Sequence, residues 1–228
     1  MSELPMPRTA SIVLGLLLSG CAANRAARES DSPQTYTYTV SDQGKVRSRF
    51  AMRRQMLLDG GFEVHFEDLD HPPGGVVSTY DAAGRPVRSL ERFGDRTTTV
   101  EYGASEARID AGGKHAVVLA SPDELVDPTA LWFWKVQPAP GTTVVVTRVA
   151  KNIGKKAQTR RTFEGIQTID VLGQPSECFL VRVQPVGSDD THDREWYDRS
   201  GMLVHKEHRT TLTTYVTELT GRERSGRP

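Results

Sequence analysis

The sequence predicts a mainly β fold, an antiparallel curved sheet or half-open barrel with a short helical plug. Three observations lead to this prediction. Short segments alternate apolar and polar residues, which is the period of half-buried strands. The turns between them carry Asp at the first position and Gly at the fourth, which suits type I turns. One segment alone has the signature of a helix. Many short strands at regular spacing favour a barrel or sandwich.

The alternation is clearest near the start, where Thr35-Tyr36-Thr37-Tyr38-Thr39-Val40 interleaves aromatic residues with threonine. Further on, Phe62, Val64 and Phe66 alternate with charged residues and His. Each pattern places one set of side chains on a buried face. The segments predicted as strands are 35–40, 46–53, 62–66, 76–80, 87–93, 97–102, 107–110, 115–119, 142–149, 158–163, 166–171, 178–186, 194–197 and 202–218.

The predicted helical plug begins at the capping box Ser121-Pro122-Asp123-Glu124, with Pro at the first helical position. An apolar patch follows at Trp132, Phe133 and Trp134. Three adjacent aromatic side chains cannot all point into one core. One interpretation is that they line an apolar pocket that accepts an acyl chain. The other is that they simply fill the core.

A short motif occurs twice, as Tyr80-Asp81-x-x-Gly84-x-x-Val87 and as Tyr197-Asp198-x-x-Gly201-x-x-Val204. The same offset aligns Phe62, Val64 and Phe66 with apolar residues upstream of Tyr197. The pattern is consistent with a duplicated half-domain. It is also consistent with a favourable hairpin turn that recurs in a β-rich chain.

The N-terminal segment has the layout of a secretory signal. Arg8 precedes an apolar run at 11–18, which ends in Leu18-Ser19-Gly20-Cys21. The run is shorter than the roughly 20 apolar residues that span a bilayer, but it fits the core of a signal peptide. An ordinary signal peptide with a chance cysteine is the alternative, although no Ala-x-Ala cleavage site stands at this place.

The ending with two small residues and a cysteine resembles the lipobox of bacterial lipoproteins. The resemblance implies cleavage between Gly20 and Cys21 and a lipid on the Cys21 thiol. Ala22, by similarity to the sorting pattern of Gram-negative lipoproteins, implies an outer-membrane anchor with the domain facing the periplasm. The predicted organisation is a signal peptide at 1–20, a lipidated flexible tether at 21–33, one β-rich domain at 34–220 and a disordered tail at 221–228.

Composition limits the partners and the redox chemistry. The formal net charge is zero, which argues against a nucleic-acid partner because such partners require a basic face. There are two cysteines, so lipidation of Cys21 leaves Cys178 without a disulfide partner. We expect Cys178 to be a buried apolar residue rather than a nucleophile.

No catalytic, cofactor or metal signature stands out. The sequence lacks a nucleophile elbow, a phosphate-binding loop, a dinucleotide fingerprint and a His-Glu-x-x-His motif. His205 and His208 are three residues apart and therefore point to opposite faces of a strand. We expect a protein that is not an enzyme and binds no cofactor or metal, with an envelope hydrolase as the less favoured alternative.

A basic strand face carries Arg47, Arg49 and Arg53. These side chains are candidates for contact with lipid headgroups at the membrane surface. The alternative is a solvated face balanced by acids of the neighbouring strand. Those acids would be Glu63, Glu67 and Asp68.

The second half of the chain resembles the LolA/LolB-like lipoprotein-carrier superfamily and related uncharacterised periplasmic families. The similarity lies in three motifs of turns and core positions, which support a fold more than an activity. They are Leu131-Trp132-x6-Pro140-Gly141, Glu164-Gly165-x3-Ile169-x3-Gly173 and Glu195-Trp196-Tyr197-Asp198-x2-Gly201-x-Leu203-Val204.

Two functional hypotheses follow. The first is a membrane-anchored, non-catalytic binding module for a lipid or another apolar ligand, with Trp132, Phe133 and Trp134 as contacts. The second is an accessory interaction subunit of a cell-envelope assembly, which binds an envelope protein through exposed strand edges.

Overall fold

The structure is a computed structural model, and it describes residues 34–119, 139–150, 155–187 and 191–224. All of them belong to one compact unit, Pro33–Pro228. Several predictions lie outside the described residues. They are the signal peptide, the Gly20–Cys21 cleavage site, the tether at 21–33, the helical plug and the patch formed by Trp132, Phe133 and Trp134.

The described residues form fourteen strands and no helix. The strands are β1 (Gln34–Asp42), β2 (Lys45–Met56), β3 (Phe62–Asp68), β4 (Gly74–Tyr80), β5 (Pro86–Phe93), β6 (Arg96–Tyr102), β7 (Glu106–Ala111), β8 (Lys114–Leu119), β9 (Thr143–Ala150), β10 (Lys155–Val171), β11 (Gln174–Pro185), β12 (His192–Tyr197), β13 (Leu203–Arg209) and β14 (Thr214–Arg224).

One antiparallel sheet contains all of these strands, which confirms the predicted fold class. Its order is β8-β7-β6-β5-β4-β3-β2-β1-β14-β13-β12-β11-β10-β9. The chain therefore builds two meanders, β1–β8 and β9–β14. Pairing of β1 with β14 joins the two meanders into one sheet. In the described part of the chain, β8 and β9 end the sheet and do not pair with each other, so the sheet is not closed.

The sheet curves strongly toward one face, which we call the inner face. Arg54 on β2 donates from Nη1 to the carbonyl of Ser200, in the turn that leads into β13, at 2.9 Å. In a flat sheet β2 and β13 would be three strand spacings apart, about 14 Å. An arginine side chain cannot cover that distance, so the sheet must curl. Tyr38 on β1 likewise donates from its hydroxyl to the carbonyl of Leu203 at 2.7 Å.

The inner face contains the hydrophobic core, because alternate residues of each strand point toward it. The main cluster draws side chains from both meanders, including Tyr38, Phe62 and Tyr80 from the first and Val181 and Met202 from the second. Burial of such large apolar side chains is the main stabilising contribution. A smaller cluster under β6–β8 consists of Val100, Ala107, Ile109 and Val118.

The two meanders repeat each other in register. Phe62 pairs with Tyr80, and Phe179 pairs with Tyr197 at the same sequence offset. The residue pairs between β4, β5 and β6 recur, at the same offset, between β12, β13 and β14. A bulge also lies at the corresponding place in both, before Tyr80 and before Tyr197. Such agreement over four strands supports a duplicated half-domain rather than one recurring turn. β7 and β8 are additions to the first copy.

Two strand boundaries differ from the prediction. The segments at 158–163 and 166–171 form one strand, β10, because a bulge at Gly165 with φ of 130° lets the strand continue. Conversely, the segment at 202–218 is two strands, since Thr210 and Thr213 close a turn through the hydroxyl of Thr210. Alternation alone does not reveal a bulge or a turn built by threonine hydroxyls.

The domain also extends past its predicted end at residue 220. β14 continues to Arg224, where Gln34 is its partner on β1. Arg222 donates to the Gln34 side chain at 3.0 Å and lies over the Tyr36 ring. Residues 221–224 are therefore strand and not tail.

The repeated turn motif gives a first testable prediction. The Asp198 carboxylate accepts hydrogen bonds from the backbone of Ser200 and Met202 and from the Ser200 hydroxyl. Replacing Asp198 by Ala removes all three and should lower the free energy of unfolding by about 2 kcal/mol. Asp170→Ala is the matched control, because that exposed carboxylate accepts a single bond from Gly173 in another turn. Urea unfolding of both variants measures the difference, and equal losses would contradict the prediction.

Candidate binding surface

Burial on the inner face changes from one end of the sheet to the other. We call the end that contains Gln34 the proximal end and the opposite end the distal end. On β1, Tyr36 and Tyr38 are buried and Val40 is half-buried; on β3, Phe62 and Val64 are buried and Phe66 is half-buried. The same change occurs on β5, β12, β13 and β14, and on β2 from Met52 to Val46. The inner face is thus a closed core proximally and a solvent-accessible surface distally.

One wall of the distal inner face is apolar and aromatic. The rings of Tyr38 and Phe50 stack with centroids 4.7 Å apart, and Phe50 and Phe66 are 5.0 Å apart. This row crosses β1, β2 and β3, and half-buried Val40 and Val76 flank it. Tyr38 is buried behind the row, and Phe50 and Phe66 are half-buried. Partly exposed aromatic rings on a curved sheet are a typical surface for an apolar ligand.

The opposite wall, on β10 and β12–β14, carries charges. Its deepest members are Arg161 and Glu195, which are only 3% and 5% exposed. An Arg161 guanidinium nitrogen lies 3.4 Å from Oε2 of Glu195, and the Tyr197 hydroxyl donates to the same oxygen at 2.5 Å. Lys206 donates to the other carboxylate oxygen of Glu195 at 3.0 Å. The buried carboxylate is therefore paired on both oxygens, as burial of a charge requires.

Toward the distal end, this ionic cluster becomes accessible. Lys206 also contacts the Asp193 carboxylate at 2.5 Å, and the other Asp193 oxygen lies 2.5 Å from Nδ1 of His208. The ring of His208 lies beside that of Tyr215, with centroids 6.1 Å apart. Lys206, His208 and Tyr215 thus place polar groups at the open side of the surface.

Burial and the neighbouring charges shift the pKa values of the ionic cluster in opposite ways. Burial raises the pKa of Glu195, but the charges of Arg161 and Lys206 outweigh it, so this pKa lies below its usual value. For Lys206, burial lowers the pKa, and the charges of Glu195 and Asp193 raise it above the usual value. Burial, followed by the charge of Glu195, raises the pKa of Tyr197. Glu195 and Lys206 are therefore both charged near neutral pH.

The fold itself does not require these charges. The internal repeat places Ser78 where the second copy has Glu195, and Ser89 where it has Lys206. The two serine hydroxyls lie 3.3 Å apart, in a buried position equivalent to that of the ion pair. Val76 likewise takes the place of Asp193. Since the uncharged copy forms the same registers, the ionic cluster is a specific feature of the second copy.

Of the arginines predicted to contact headgroups, Arg49 and Arg53 lie on the opposite, outer face, and Arg47 lies in a bulge of β2 at the distal end. Arg47 is paired with Asp42 at 2.9 Å, and Arg49 binds both oxygens of Asp70 through its guanidinium and backbone. Arg53 approaches Nδ1 of His65 at 3.5 Å. The acids that balance Arg47 and Arg49 are thus different from the three that the sequence suggested.

The remaining sequence candidates have structural roles in the part of the chain that is described. Cys178 is 1% exposed, and burial, followed by the charge of Asp198, raises its pKa to about 11, which makes it a poor nucleophile. His205 packs edge-on against Trp196, on the face opposite to that of His208. Within the described ranges, no group of three or more His, Cys, Asp or Glu side chains is arranged to hold a metal ion.

Sequence reasoning did not single out the distal inner face. The sequence near Glu195 contains no recognisable partner for its carboxylate, because Arg161 and Lys206 lie on other strands. A signal was nevertheless present in the repeat. The offset that aligns Tyr80 with Tyr197 also aligns Ser78 with Glu195, and residues two apart share a strand face.

Among the described residues, no helix has the length and apolarity needed to cross a membrane. No family model matches the sequence, and no curated protein matches it.

The fold is similar to those of solved bacterial proteins. A β-barrel-like protein of unknown function, DUF1849, from Brucella abortus superposes with a TM-score of 0.62 at 9% identity, over 86% of this chain and 99% of that one. The hypothetical lipoprotein YmcC from Escherichia coli gives 0.40 at 10% identity, over 97% and 100%. The MucA/MucB complex of Pseudomonas aeruginosa gives 0.41 at 15% identity, over 90% and 56%. At these identities, the Brucella protein shows a shared barrel-like fold and nothing more.

The buried carboxylate of the ionic cluster gives a second prediction. Because the folded-state pKa of Glu195 is below the unfolded value of about 4.3, its contribution is present above that pH and is lost as the pH falls through the folded pKa. Glu195→Gln should cost about 3 kcal/mol at pH 7, since Arg161 and Lys206 lose their partner. Below about pH 4 the difference from the unmodified chain should shrink.

Urea unfolding between pH 7 and pH 3 measures this effect. Glu177→Gln is the control, because that carboxylate pairs with Arg199 at the surface and should change stability little at any pH. A Glu195→Gln deficit that stays constant down to pH 3 would contradict the prediction.

Proposed function

We propose that this protein is an envelope-anchored, non-catalytic binding module that holds an amphiphilic ligand on the distal inner face. The observation that carries the proposal is the common direction of the burial gradient on β1–β3, β5 and β12–β14. A core that only stabilised the sheet would be closed along its whole length. Here the closed half provides rigidity, and the open half provides a surface for a ligand.

The two walls define the class of ligand. The half-buried rings of Phe50 and Phe66, backed by buried Tyr38, suit a hydrocarbon chain, while Lys206 and His208 suit a polar or anionic headgroup. An acyl chain with a polar head matches both walls at once. The predicted contacts Trp132, Phe133 and Trp134 would add a third apolar surface to this proposal.

Pairing within the ionic cluster supports a role without catalysis. Glu195, Asp193, Lys206 and Arg161 neutralise one another. General acid–base chemistry instead needs a group poised near neutral pH beside a reacting atom. An envelope hydrolase remains the less favoured proposal.

The sequence provides the anchor in this proposal. A lipid on Cys21, followed by a tether at 21–33, would hold the domain at the outer membrane on the periplasmic side. A flexible tether of that length reaches on the order of 20 Å. This arrangement, together with the barrel-like fold, is what a lipoprotein-carrier-like protein requires.

An accessory role in an envelope assembly is the second candidate function. It is favoured by a groove on the outer face, between β1 and β5, that is lined by the exposed side chains of Arg53 and Arg92. The two functions use opposite faces of the sheet and do not exclude each other.

Native mass spectrometry of the full chain, purified gently from the envelope, tests the ligand proposal. We expect an additional mass in the range of an acyl lipid, removable by organic solvent. Phe66→Ser and Lys206→Ala should each reduce the bound fraction several-fold, because they remove one wall or the other.

Leu58→Ser is the control, since that leucine is exposed in the proximal turn between β2 and β3 and lies outside both walls. Its bound fraction should equal that of the unmodified chain. A ligand-free mass for the unmodified chain, or an equal loss in the control, would refute the proposal. Circular dichroism checks that each variant keeps its β structure.

A further inference from the structure

We propose that a groove on the outer face binds an extended acidic segment of a partner protein. Arg53 and Arg92 would pair with two of its carboxylates. This inference goes beyond the ligand proposal, because it concerns the opposite face of the sheet. The groove crosses β1–β5 and encloses about 460 Å³.

Two cross-strand rows form the groove. One row runs from Thr35 through Arg53, His65 and Val77 to Leu90. The second row runs from Ala51 through Glu67 and Gly75 to Arg92. Apolar or small residues form the floor of the groove. Arg53 and Arg92 lie at opposite corners of it, on β2 and β5.

The two groove arginines differ from Arg47 and Arg49 in their ion pairing. Arg47 and Arg49 are committed to Asp42 and Asp70. Within the described residues, Arg53 and Arg92 form no ion pair with an Asp or Glu, and both are exposed. A guanidinium that is not committed to a carboxylate remains available for one from outside, which it can bind through two parallel hydrogen bonds.

The spacing of the arginines determines the kind of partner. β2 and β5 are three strand spacings apart, and Arg92 lies two residues beyond the row of Arg53. Their Cα atoms are therefore about 16 Å apart in a flat sheet. Two guanidinium groups at that distance match two carboxylates better than the single headgroup of a lipid. In an extended peptide, acidic residues at positions i and i+4 span about 13.5 Å on the same face, and the side chains can bridge the remainder.

The floor determines what lies between the two acids. At Gly75 no side chain rises from the floor of the groove, so a peptide can approach the sheet closely. A Cβ at this position would lie 2.4 Å from the carbonyl oxygen of Phe66, so no other residue fits without a backbone shift. The peptide side chain at i+2 would rest on Val77 and Leu90. Glu67 in the same groove would repel a third acid at that position. The partner segment that fits is thus five residues long, with acidic residues at its first and fifth positions, an apolar residue at the third, and any residue at the second and fourth.

Fluorescence anisotropy with a labelled peptide tests this proposal on the full chain. The probe is Thr-Glu-Thr-Leu-Thr-Glu-Thr, and a second probe has Gln at both Glu positions. We expect the first probe to bind at least tenfold more tightly than the second. Arg53→Glu combined with Arg92→Glu should weaken the first probe at least tenfold, which corresponds to about 1.4 kcal/mol.

The control variant combines Arg88→Glu with Arg96→Glu, two exposed arginines on β5 and β6 outside the groove. It has the same change in net charge and should bind the first probe like the unmodified chain. Equal loss in both variants, equal affinity for the two probes, or no binding of the first probe would overturn the proposal.

A vesicle-binding assay distinguishes an acidic peptide from a lipid surface as the occupant of the groove. If the groove variant loses binding to vesicles of phosphatidylglycerol and phosphatidylcholine but keeps its affinity for the peptide, the site belongs to a lipid surface and the proposal fails. The acyl mass expected on the inner face should be unchanged in the groove variant. Failure of either proposal is therefore distinguishable from failure of the other.

Discussion

The pairing of β1 with β14 is the contact on which the rest of the structure depends. It brings together two segments from opposite ends of the domain, and Arg222 reinforces it at Gln34 and Tyr36. Without it there would be two separate meanders, each with an incomplete core. With it, Tyr38 and Leu219 become neighbours in one cluster. Closing such a long loop costs conformational entropy, so the shared core must offset that cost.

The two faces of the sheet divide the chemistry of the protein. The inner face combines an aromatic row with the ionic cluster, while the outer face carries solvated arginines and the groove. A single strand contributes to both, as β2 does with Phe50 inward and Arg53 outward. Any substitution that shifted the register of β2 by one residue would exchange these faces. The binding surfaces therefore rely on the same register that forms the core.

Sequence patterns predicted the β class, the antiparallel arrangement and most strands, because alternation is a local property. The repeat of Tyr80 and Tyr197 indicated a duplication as one of two interpretations. What could not be predicted depends on contacts between distant strands. The partner of Arg49 is Asp70 in a loop, the partners of Glu195 are Arg161 and Lys206, and the distal opening arises from curvature. No single segment contains that information, and the aromatic patch at Trp132–Trp134 lies outside the described residues.

The identical registers of the two copies also create a hazard during folding. A hairpin of one copy has the geometry to pair with the strands of the other, and alternative topologies of similar backbone energy become available. Side chains separate them: Glu195 opposite Ser89 would lose the ammonium of Lys206, and Lys206 opposite Ser78 would bury an ammonium without the carboxylates of Glu195 and Asp193. The charges that distinguish the second copy therefore act as a recognition code within the chain, penalising strand exchange between its halves.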